Sequence, residues 1–305
     1  MSITPLSQFN APSGSTSVAL GFFDGFHRGH QAIVGQATSG GLRPLTFTFR
    51  NHPASVISSQ RTPELLTTVE ERFELLAAAG TEVVWCDFDR PFSQLSPQEF
   101  FQDILVERLG AGLLVSGSNY RFGHRAEGDV EMLRQLAEPL GIQVVCPAEV
   151  LHEGNWISST RIRQAIAQGR VEEAALLLGR PFTVTARVLR GDQRGRQLGF
   201  PTANLPLAAG KIIPAFGVYA GWVKRAGERH PAVANLGIRP TVTDSRVPLL
   251  EVHLLDFHGD LYGESLIVEL AHFLRSEQKF SGLDALKHQI ALDCQHARAR
   301  LLGPA

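Results

Sequence analysis

Two histidines, His27 and His30, stand in a glycine-rich segment that reads GFFDGFHRGH. Imidazoles can donate hydrogen bonds to phosphate oxygens, and Gly21, Gly25 and Gly29 allow the backbone to approach a ligand closely. An apolar run precedes the segment and a helical pattern follows it, and the N-terminus of a helix after a strand suits phosphate. The pattern predicts a phosphate-binding site for nucleotidyl transfer from a nucleoside triphosphate, because fixed donors there stabilise the charge that develops at an attacked α-phosphate.

The same two histidines have two simpler interpretations. In an isolated HxxH they are more often exposed side chains of a glycine-rich turn, and the strand–loop–helix context favours the phosphate site over that interpretation. The spacing also fits a metal pair, but a zinc site needs three or four protein ligands, for which only His52 is a conceivable third.

A second phosphate-binding element is indicated by Ile157–Arg163, which reads ISSTRIR and precedes a helical stretch. Ser158 or Ser159 is expected to cap that helix. Arg161 and Arg163 would place positive charge near its start, and arginine suits bidentate phosphate contacts. Taken alone, this segment would be an ordinary capped surface helix.

A further cluster lies in GDQRGRQLGFPTANL. Its three glycines could bring a loop close to ATP phosphates, and Thr202 and Asn204 supply oxygen ligands that suit Mg²⁺. The second part of the chain contains no P-loop, because its glycine–lysine pair at Gly210 and Lys211 is followed by Ile212 instead of serine or threonine. In isolation PTAN is more often a proline turn. Glu251, at the start of the run EVHLL, is either a catalytic carboxylate or a solvent-facing strand residue.

The elements that would position these residues differ between the two parts of the chain. In the first part, strands alternate with helices, as is typical of a parallel sheet covered by helices on both faces. The predicted strands are Ser17–Gly21, Leu45–Phe49, Glu82–Cys86, Leu113–Ser116 and Gln143–Cys146. The predicted helices are Gly29–Ala37, Val69–Ala79 and Pro97–Leu109, the last with Ser96 as its N-cap.

The second part shows several short alternating segments, which predict an antiparallel β-barrel. They are Thr183–Arg190, Gly217–Val223, Ala232–Leu236, Glu251–Leu255 and Leu266–Leu270, followed by one helix at Leu283–Leu302. A helical pattern ends between Leu178 and Phe182, where Gly179 and Pro181 interrupt it. We therefore expect two domains, at residues 1–180 and 181–305.

Composition favours an ordinary globular protein. The chain has 305 residues, is 44% hydrophobic and 19% charged, and carries a net charge of −1, which gives no electrostatic case for nucleic-acid binding. Residues 1–180 have 14 basic and 19 acidic side chains, and residues 181–305 have 15 and 11. This asymmetry leaves room for weak head-to-tail self-association. The three scattered cysteines fit neither a disulfide framework nor a zinc site.

No run approaches the roughly 20 apolar residues that a membrane-spanning helix needs. The N-terminal residues also lack the basic-then-apolar order of a signal peptide. We therefore expect no membrane partner and a cytoplasmic location.

The combination of HxGH with SSTR resembles the adenylyltransferase domain of the bacterial bifunctional riboflavin kinase/FAD synthetase family. The similarity continues along nearly the whole chain, through LTTVEERFELL, SGSNYRFGHRAEGD, LLGRPF, the PTAN segment, LEVHLLDFHGDLYGE and FLRSEQKF. Two positions depart from the family pattern. Phe22 stands where the loop often reads GNFDG, and Asn119 stands where the flavin loop often carries aspartate.

The resemblance implies that the first domain transfers AMP from ATP to FMN, giving FAD and pyrophosphate. His27, His30 and Arg161 would then be catalytic, and Asn119 and Arg121 would bind the flavin. The implied ATP contacts are Gly21, Phe23, Asp24, Gly25, Gly29, Ser159 and Thr160. Because the FMN phosphate is already ionised, positioning, Mg²⁺ and charge stabilisation should supply most of the catalysis.

For the second domain the resemblance implies phosphorylation of riboflavin to FMN by ATP. Glu251 would be the general base for the 5′-hydroxyl, which benefits from proton removal. Arg275 would contact the flavin, and Thr202 and Asn204 would hold Mg²⁺. The implied ATP-binding glycines are Gly191, Gly195 and Gly199. The expected small-molecule partners are riboflavin, FMN and ATP.

Three alternatives remain at this point. In the first, only one domain is active and the other is a flavin-binding module. In the second, the whole chain is a non-catalytic flavin carrier. A nucleotidyltransferase for another phosphate acceptor, such as phosphopantetheine, would fit the HxGH loop but would leave the PTAN domain unexplained.

Overall fold

The computed structural model describes residues 1–57, 62–190, 195, 198–239 and 247–303. The chain divides into two compact units, Met1–Ser159 and Thr160–Ala305. The predicted domain boundary after residue 180 lies further along the chain than this division and stays a prediction.

The first unit is built on a six-stranded, all-parallel sheet in the order β1-β4-β3-β2-β5-β6. Its strands are β1 Ile3–Pro5, β2 Thr16–Leu20, β3 Arg43–Phe49, β4 Glu82–Cys86, β5 Ala111–Val115 and β6 Gln143–Val145. A small hairpin follows, formed by β7 Leu151–His152 and β8 Asn155–Trp156. The parallel sheet confirms the α/β class predicted for this part of the chain.

The helices of this unit are α1 Arg28–Thr38, α2 Ala54–Ile57, α3 Val69–Ala78, α4 Arg90–Ser93, α5 Pro97–Glu99 and α6 Val130–Ala137. Short 3-10 turns occur at Leu6–Gln8, Asp24–Phe26, His124–Ala126 and Glu138–Leu140. Capping boxes start α3, through Thr68 and Glu71, and α5, through Ser96 and Glu99. The expected N-cap at Ser96 is thereby confirmed.

The predicted helix Pro97–Leu109 differs from the structure in its winding. After α5 the chain continues as a π-helix over Phe100–Arg108, with the N–H of Leu109 donating to the carbonyl of Ile104, 2.9 Å away. The wider turn lets Phe101, Leu105 and Leu109, four residues apart, all reach the core. An apolar repeat of four is read from sequence as an α-helix, so the π winding was not predicted.

The sheet is buried on both faces. In β2, Val18 and Leu20 pack into one apolar cluster, and Ala19 packs into a second cluster on the other face. From β2 the chain adds β3 and β4 on one side and then crosses to add β5 and β6 on the other. The carboxyl ends of β2 and β5 therefore meet at the topological switch point, which is where ligands bind in open α/β sheets.

The second unit contains a six-stranded antiparallel sheet in the order β10-β13-β12-β11-β14-β9. Its strands are β9 Phe182–Arg187, β10 Ala203–Pro206, β11 Gly217–Arg225, β12 Glu228–Arg239, β13 Val247–Leu254 and β14 Ser265–Arg275. A bridge between Leu189 and Asn204 brings the two edges together, which makes a nearly closed barrel. The predicted barrel is confirmed.

In the described part of the chain, these strands are accompanied by α7 Ser159–Ala167, which begins at the last residue of the first unit, by α8 Val171–Leu178 and by α9 Leu283–Leu302. Helix α9 has the predicted bounds and packs Cys294 and Ala297 against Val218 and Val233 of the barrel. The sequence prediction omitted β10, a four-residue strand that ends in proline. Among the helices of the described residues, none is both long and apolar enough to cross a membrane.

Candidate functional site

A cleft of about 1040 Å³ opens at the switch point of the parallel sheet. Its walls include the loop after β2, the loop after β5 and the segment that follows the β7–β8 hairpin. The predicted site residues among its lining are Gly21, Phe23, His27, Gly29, His30, Asn119, Arg121 and Ser159. The structure therefore brings together the HxGH loop and the predicted flavin loop, which lie about 90 residues apart in sequence.

The loop after β2 has an unusual backbone. Phe23, Gly25 and Phe26 all have positive φ, at 58°, 77° and 40°. For the two phenylalanines this conformation is strained, and strain of this kind concentrates at functional sites. A Cβ atom at Gly21 would lie 2.9 Å from the Phe23 ring, so the tight turn needs glycine there.

Within this loop, the side chain of Asp24 points into the protein, and only 3% of the residue's surface is exposed. Its carboxylate accepts hydrogen bonds from the N–H groups of Leu66 and Thr67, at 2.9 and 3.2 Å, and the N–H of Gly25 donates to Thr67 Oγ1 at 3.2 Å. Asp24 and Gly25 thus fasten the loop to the segment before α3, and the cleft is lined by their neighbours instead.

His27 occupies the N-cap of α1. Its Nδ1 accepts a hydrogen bond from the backbone N–H of His30 at 3.3 Å. An Nδ1 atom that accepts carries no proton, so the neutral ring has its proton on Nε2 and can donate from that atom. A Cβ atom at Gly29 would lie 3.2 Å from this ring, which explains the small residue between the histidines.

The ring of His30 stacks on that of His27, with centroids 3.6 Å apart and planes inclined by 18°. The Nδ1 atom of His30 is enclosed and has no hydrogen-bond partner among the described residues. Burial lowers the pKa of His30 well below its ordinary value, and the nearby His27 and Arg72 lower it further. His30 is therefore neutral at pH 7.

The SSTR element reaches the loop through its first residue. Ser159 begins α7, and its Oγ donates to the carbonyl of Asp24 at 3.0 Å. Thr160 and Arg161 belong to the second unit. There the guanidinium of Arg161 contacts the carboxylate of Glu173 on α8 at 3.3 Å.

The loop after β5 forms another wall of the cleft. Asn119 and Arg121 line the cleft, and Arg121 pairs with Asp129 at 3.2 Å. Further along the same loop, Arg125 and Ala126 both have positive φ, at 53° and 59°. This wall therefore carries strained backbone, like the first loop.

A second cleft, of about 980 Å³, lies in the barrel unit. A row of three polar side chains crosses neighbouring strands there. Glu251 on β13 is in register with Asn204 on β10 and with Asn235 on β12. Side chains directly opposite each other on adjacent strands are about 5 Å apart, so the carboxylate lies between two amides. Thr202, two residues before Asn204, also lines the cleft.

Arg275 lines the same cleft and is held firmly. It makes a bidentate ion pair with Asp293 on α9, with Nη2 to Oδ2 at 2.7 Å and Nε to Oδ1 at 2.9 Å. The Arg275 side chain is 16% exposed and that of Asp293 is 3% exposed. The guanidinium carbon of Arg275 lies 5.7 Å from the centre of the Phe280 ring.

The three glycines predicted to contact ATP in this domain have different placements. Gly195 lines the cleft, and a Cβ atom there would lie 2.4 Å from the carbonyl oxygen of Phe200. Gly199 has a φ of 87°, and its two neighbours in sequence line the cleft. Gly191 lies outside the described residues.

Three residues at these sites were not singled out from the sequence: Arg72, Asn235 and Asp293. A buried arginine in an amphipathic helix looks like any surface arginine, and Asn235 stands in an apolar stretch of β12 that reads AVANLGI. Its place inside a barrel strand was the one signal that could have raised the question.

Comparison with known protein families shows two enzyme domains. Residues 10–161 match the family described as FAD synthetase, and residues 178–301 match the family described as riboflavin kinase. The chain is therefore a transferase with two enzyme domains, in the order predicted from the sequence.

Relatives cover almost the full length of the chain. A bifunctional riboflavin kinase/FMN adenylyltransferase of Escherichia coli (strain K12) is 41% identical over 294 residues, which is 94% of this chain and 93% of the relative. The enzyme of the same name from Bacillus subtilis (strain 168) is 36% identical, covering 92% and 90%. A solved structure described as a macrolide-efflux protein from Streptococcus pneumoniae superposes with a TM-score of 0.87 at 33% identity, covering 97% and 99%.

The chain belongs to the family of bifunctional riboflavin kinase/FMN adenylyltransferases. ATP and flavins are the substrates and products of the two activities that this name describes. The resemblance seen in the sequence is thereby confirmed.

Proposed function

We propose that the first cleft carries out adenylyl transfer from ATP to FMN and that the second phosphorylates riboflavin to FMN. The observation that carries the first assignment is the stacked pair of His27 and His30 at the start of α1. Two imidazoles stacked at the first turn of a helix, in the lining of the cleft, form an arrangement that suits a bound phosphate.

In the adenylyltransferase site, His27 donates from Nε2 to the triphosphate, because its Nδ1 is occupied by the helix N–H. His30 offers a second imidazole to the same phosphates. Both act on charge that develops as the FMN phosphate attacks the α-phosphate and pyrophosphate leaves. Arg161 would supply positive charge in this reaction.

The other predicted ATP contacts divide into two roles. Gly21, Phe23, Gly29 and Ser159 line the cleft and would touch the nucleotide, whereas Asp24 and Gly25 hold the loop in shape from beneath. Thr160, the next residue of the SSTR element, remains a proposed ATP contact. Asn119 and Arg121, on the loop after β5, would bind the flavin.

In the kinase site, Glu251 would accept the proton of the riboflavin 5′-hydroxyl as that oxygen attacks the γ-phosphate. Arg275, fixed by Asp293, would contact the flavin. Asn235 joins this proposal, because its amide stands beside Glu251 on the same face of the barrel. The glycines Gly191, Gly195 and Gly199 remain proposed ATP contacts.

The residues around PTAN fit a magnesium ion. Asn204 is 7% exposed and lies in register with Glu251, so a buried amide oxygen stands beside a carboxylate, with Thr202 nearby in the same cleft. Hard oxygen donors of this kind suit Mg²⁺. Thr202 and Asn204 would hold the ion, which neutralises phosphate charge when it is bound.

We also propose that residues 1–180 and 181–305 are the functional domains, and that the enzyme works in the cytoplasm without nucleic-acid or membrane partners. Weak self-association through the acidic and basic parts stays a proposal. Gel filtration at low and high salt tests it, because such contacts would weaken as salt screens them.

The two assignments are tested by assaying each half-reaction separately. Purified protein with Mg²⁺ receives either riboflavin and ATP or FMN and ATP, and the flavins are resolved by chromatography. FMN in the first mixture, followed by FAD formed from it, and FAD in the second mixture support both sites. Activity in only one mixture would leave the other domain as a flavin-binding module, and turnover in neither would refute the proposal.

A further inference from the structure

A buried guanidinium lies next to the loop Gly21–His30 that follows β2, which we call the phosphate loop. Arg72, on α3, is fully buried, and its Nη2 donates to the carbonyls of Phe49 and Arg50 at 2.7 and 3.0 Å. These carbonyls end β3, the strand beside β2 in the sheet. A buried positive charge destabilises the folded protein unless hydrogen bonds or negative charges compensate it, so the presence of Arg72 at this position needs an explanation.

The same guanidinium supports Phe22, the residue at which the loop departs from the family pattern. The guanidinium carbon lies 4.0 Å from the centre of the Phe22 ring, a cation–π contact. The His52 ring packs edge-on against the Phe22 ring, with 4.7 Å between the ring centroids, and Thr48 Oγ1 donates a hydrogen bond to the Phe22 carbonyl at 3.2 Å. Phe22 is therefore held by Arg72 while it lines the cleft.

The charge of Arg72 is only partly compensated. Its Nε and Nη1 atoms have no hydrogen-bond partner among the described residues. Burial lowers the pKa of Arg72 to about 10, and the carboxylates of Asp24 and Glu70 act in the opposite direction. The side chain is thus still charged at pH 7, and its field reaches the histidine pair.

We propose that Arg72 is a positioning residue for adenylyl transfer, which fixes Phe22 and the phosphate loop and adds its positive charge to the surroundings of the buried His30 ring. The proposal rests on the proposed function of the first cleft. The charged or titratable groups that act on His30 are His27, from the loop, and Arg72, from α3; the Phe23 ring also meets His30, at 5.3 Å. Asp24 and Glu70 act on Arg72.

The first test needs no activity. The full chain is labelled at histidine, the His30 signal is assigned by its loss in His30→Gln, and its titration is followed by NMR. Removal of the charge in Arg72→Met should let His30 take up its proton at higher pH than in the wild type. Arg72→Lys, which keeps the charge, should stay near the wild-type titration. If Arg72→Met does not fold, Arg72→Gln replaces it.

The second test follows FAD formation from FMN in the same variants. Arg72→Met should lower kcat/KM for ATP by roughly 10²-fold, because the loop shifts, and should move the acid limb of its pH profile to higher pH. Riboflavin phosphorylation by the same protein is the internal control for folding. Arg134→Met, an exposed arginine paired with Glu131, is the matched control.

An unchanged His30 titration in the charge-removing variant would overturn the proposal, even if FAD formation fell, because a purely structural role predicts loss without that shift. Failure of the proposed function would look different. In that case the wild type would form no FAD, while the titration difference between Arg72→Met and Arg72→Lys could still be measured.

Discussion

The imidazole rings of His27 and His30 stack face to face, with 3.6 Å between their centroids. One hydrogen bond, from the N–H of His30 to Nδ1 of His27, joins the same two residues and caps α1. A proton on Nδ1 of His27 would break that bond. The pair is therefore built to be neutral, and the site can use imidazole donors without placing two positive rings against each other.

The most selective variant of this pair is His30→Ala. We expect it to abolish FAD formation while FMN formation from riboflavin continues at the wild-type rate, since the kinase residues lie in a separate cleft. Chromatography of flavins from the two half-reactions measures both. His152→Ala, a histidine of the β7–β8 hairpin, is the matched control and should form FAD normally. Loss of both activities in His30→Ala would contradict independent sites.

His27 has a structural and a chemical role that substitution can separate. Asparagine is as good an N-cap as any residue, so His27→Asn should keep the thermal stability of the wild type within the error of the measurement. His27→Ala removes the cap and should cost about 1 kcal/mol of unfolding free energy. Both should lower the kcat of adenylylation by roughly 10²-fold, because each removes a donor to the transition state. Normal FAD formation by His27→Asn would show that His27 is only a cap.

The lowered pKa of His30 predicts a pH dependence of stability. Unfolded histidine titrates near its ordinary value of about 6.5, whereas folded His30 binds its proton only at lower pH. Between these two values the unfolded chain holds more protons, so stability should decrease as pH falls below about 6.5. Thermal unfolding of the wild type and His30→Gln from pH 8 to 5 measures this. The glutamine variant should lose less stability on acidification, and equal losses would argue against a buried neutral His30.

Glu251→Gln tests the second cleft. Glutamine keeps the size and polarity of the side chain but cannot accept a proton, so riboflavin phosphorylation should fall by roughly 10²–10⁴-fold. FAD formation from supplied FMN should be unchanged. Glu228→Gln, an exposed glutamate on the neighbouring strand β12, controls for loss of charge on the barrel. A kinase rate near that of the wild type in Glu251→Gln would exclude Glu251 as the base.

The ion pair of Arg275 and Asp293 links the kinase cleft to α9. Because both side chains are little exposed, Asp293→Ala removes the carboxylate that neutralises the Arg275 guanidinium and should destabilise the protein by about 3 kcal/mol or more. It should also raise KM for riboflavin more than KM for ATP, since Arg275 is proposed to contact the flavin. Denaturant unfolding and steady-state kinetics measure the two effects. A KM increase confined to ATP would reassign Arg275.

Much of this architecture followed from local sequence patterns. The apolar run before His27, the helical pattern after it and the helical pattern over Leu283–Leu302 can be recognised locally, and the structure confirms each within one or two residues. The parallel sheet and the barrel followed from how such segments alternate. The order of strands did not, because crossing from β4 to β5 depends on packing between distant segments.

The parts that the sequence did not predict depend on contacts across the sheets. Asp24 is predicted to contact ATP, but the sequence did not show that its carboxylate also accepts hydrogen bonds from the backbone of Leu66 and Thr67, about 40 residues away. Phe22 looked like a simple departure from a family pattern until its ring was found on Arg72. Asn235 became visible only through the register that places it beside Glu251.

The most direct test of the central claim is the identity of the product when riboflavin is the only flavin supplied. Wild-type protein is incubated with riboflavin, excess ATP and Mg²⁺, and flavins are resolved by chromatography over time. With both sites active, FMN should appear first and FAD should accumulate as the final product. A reaction that stops at FMN, or one in which riboflavin is never consumed, would contradict the account.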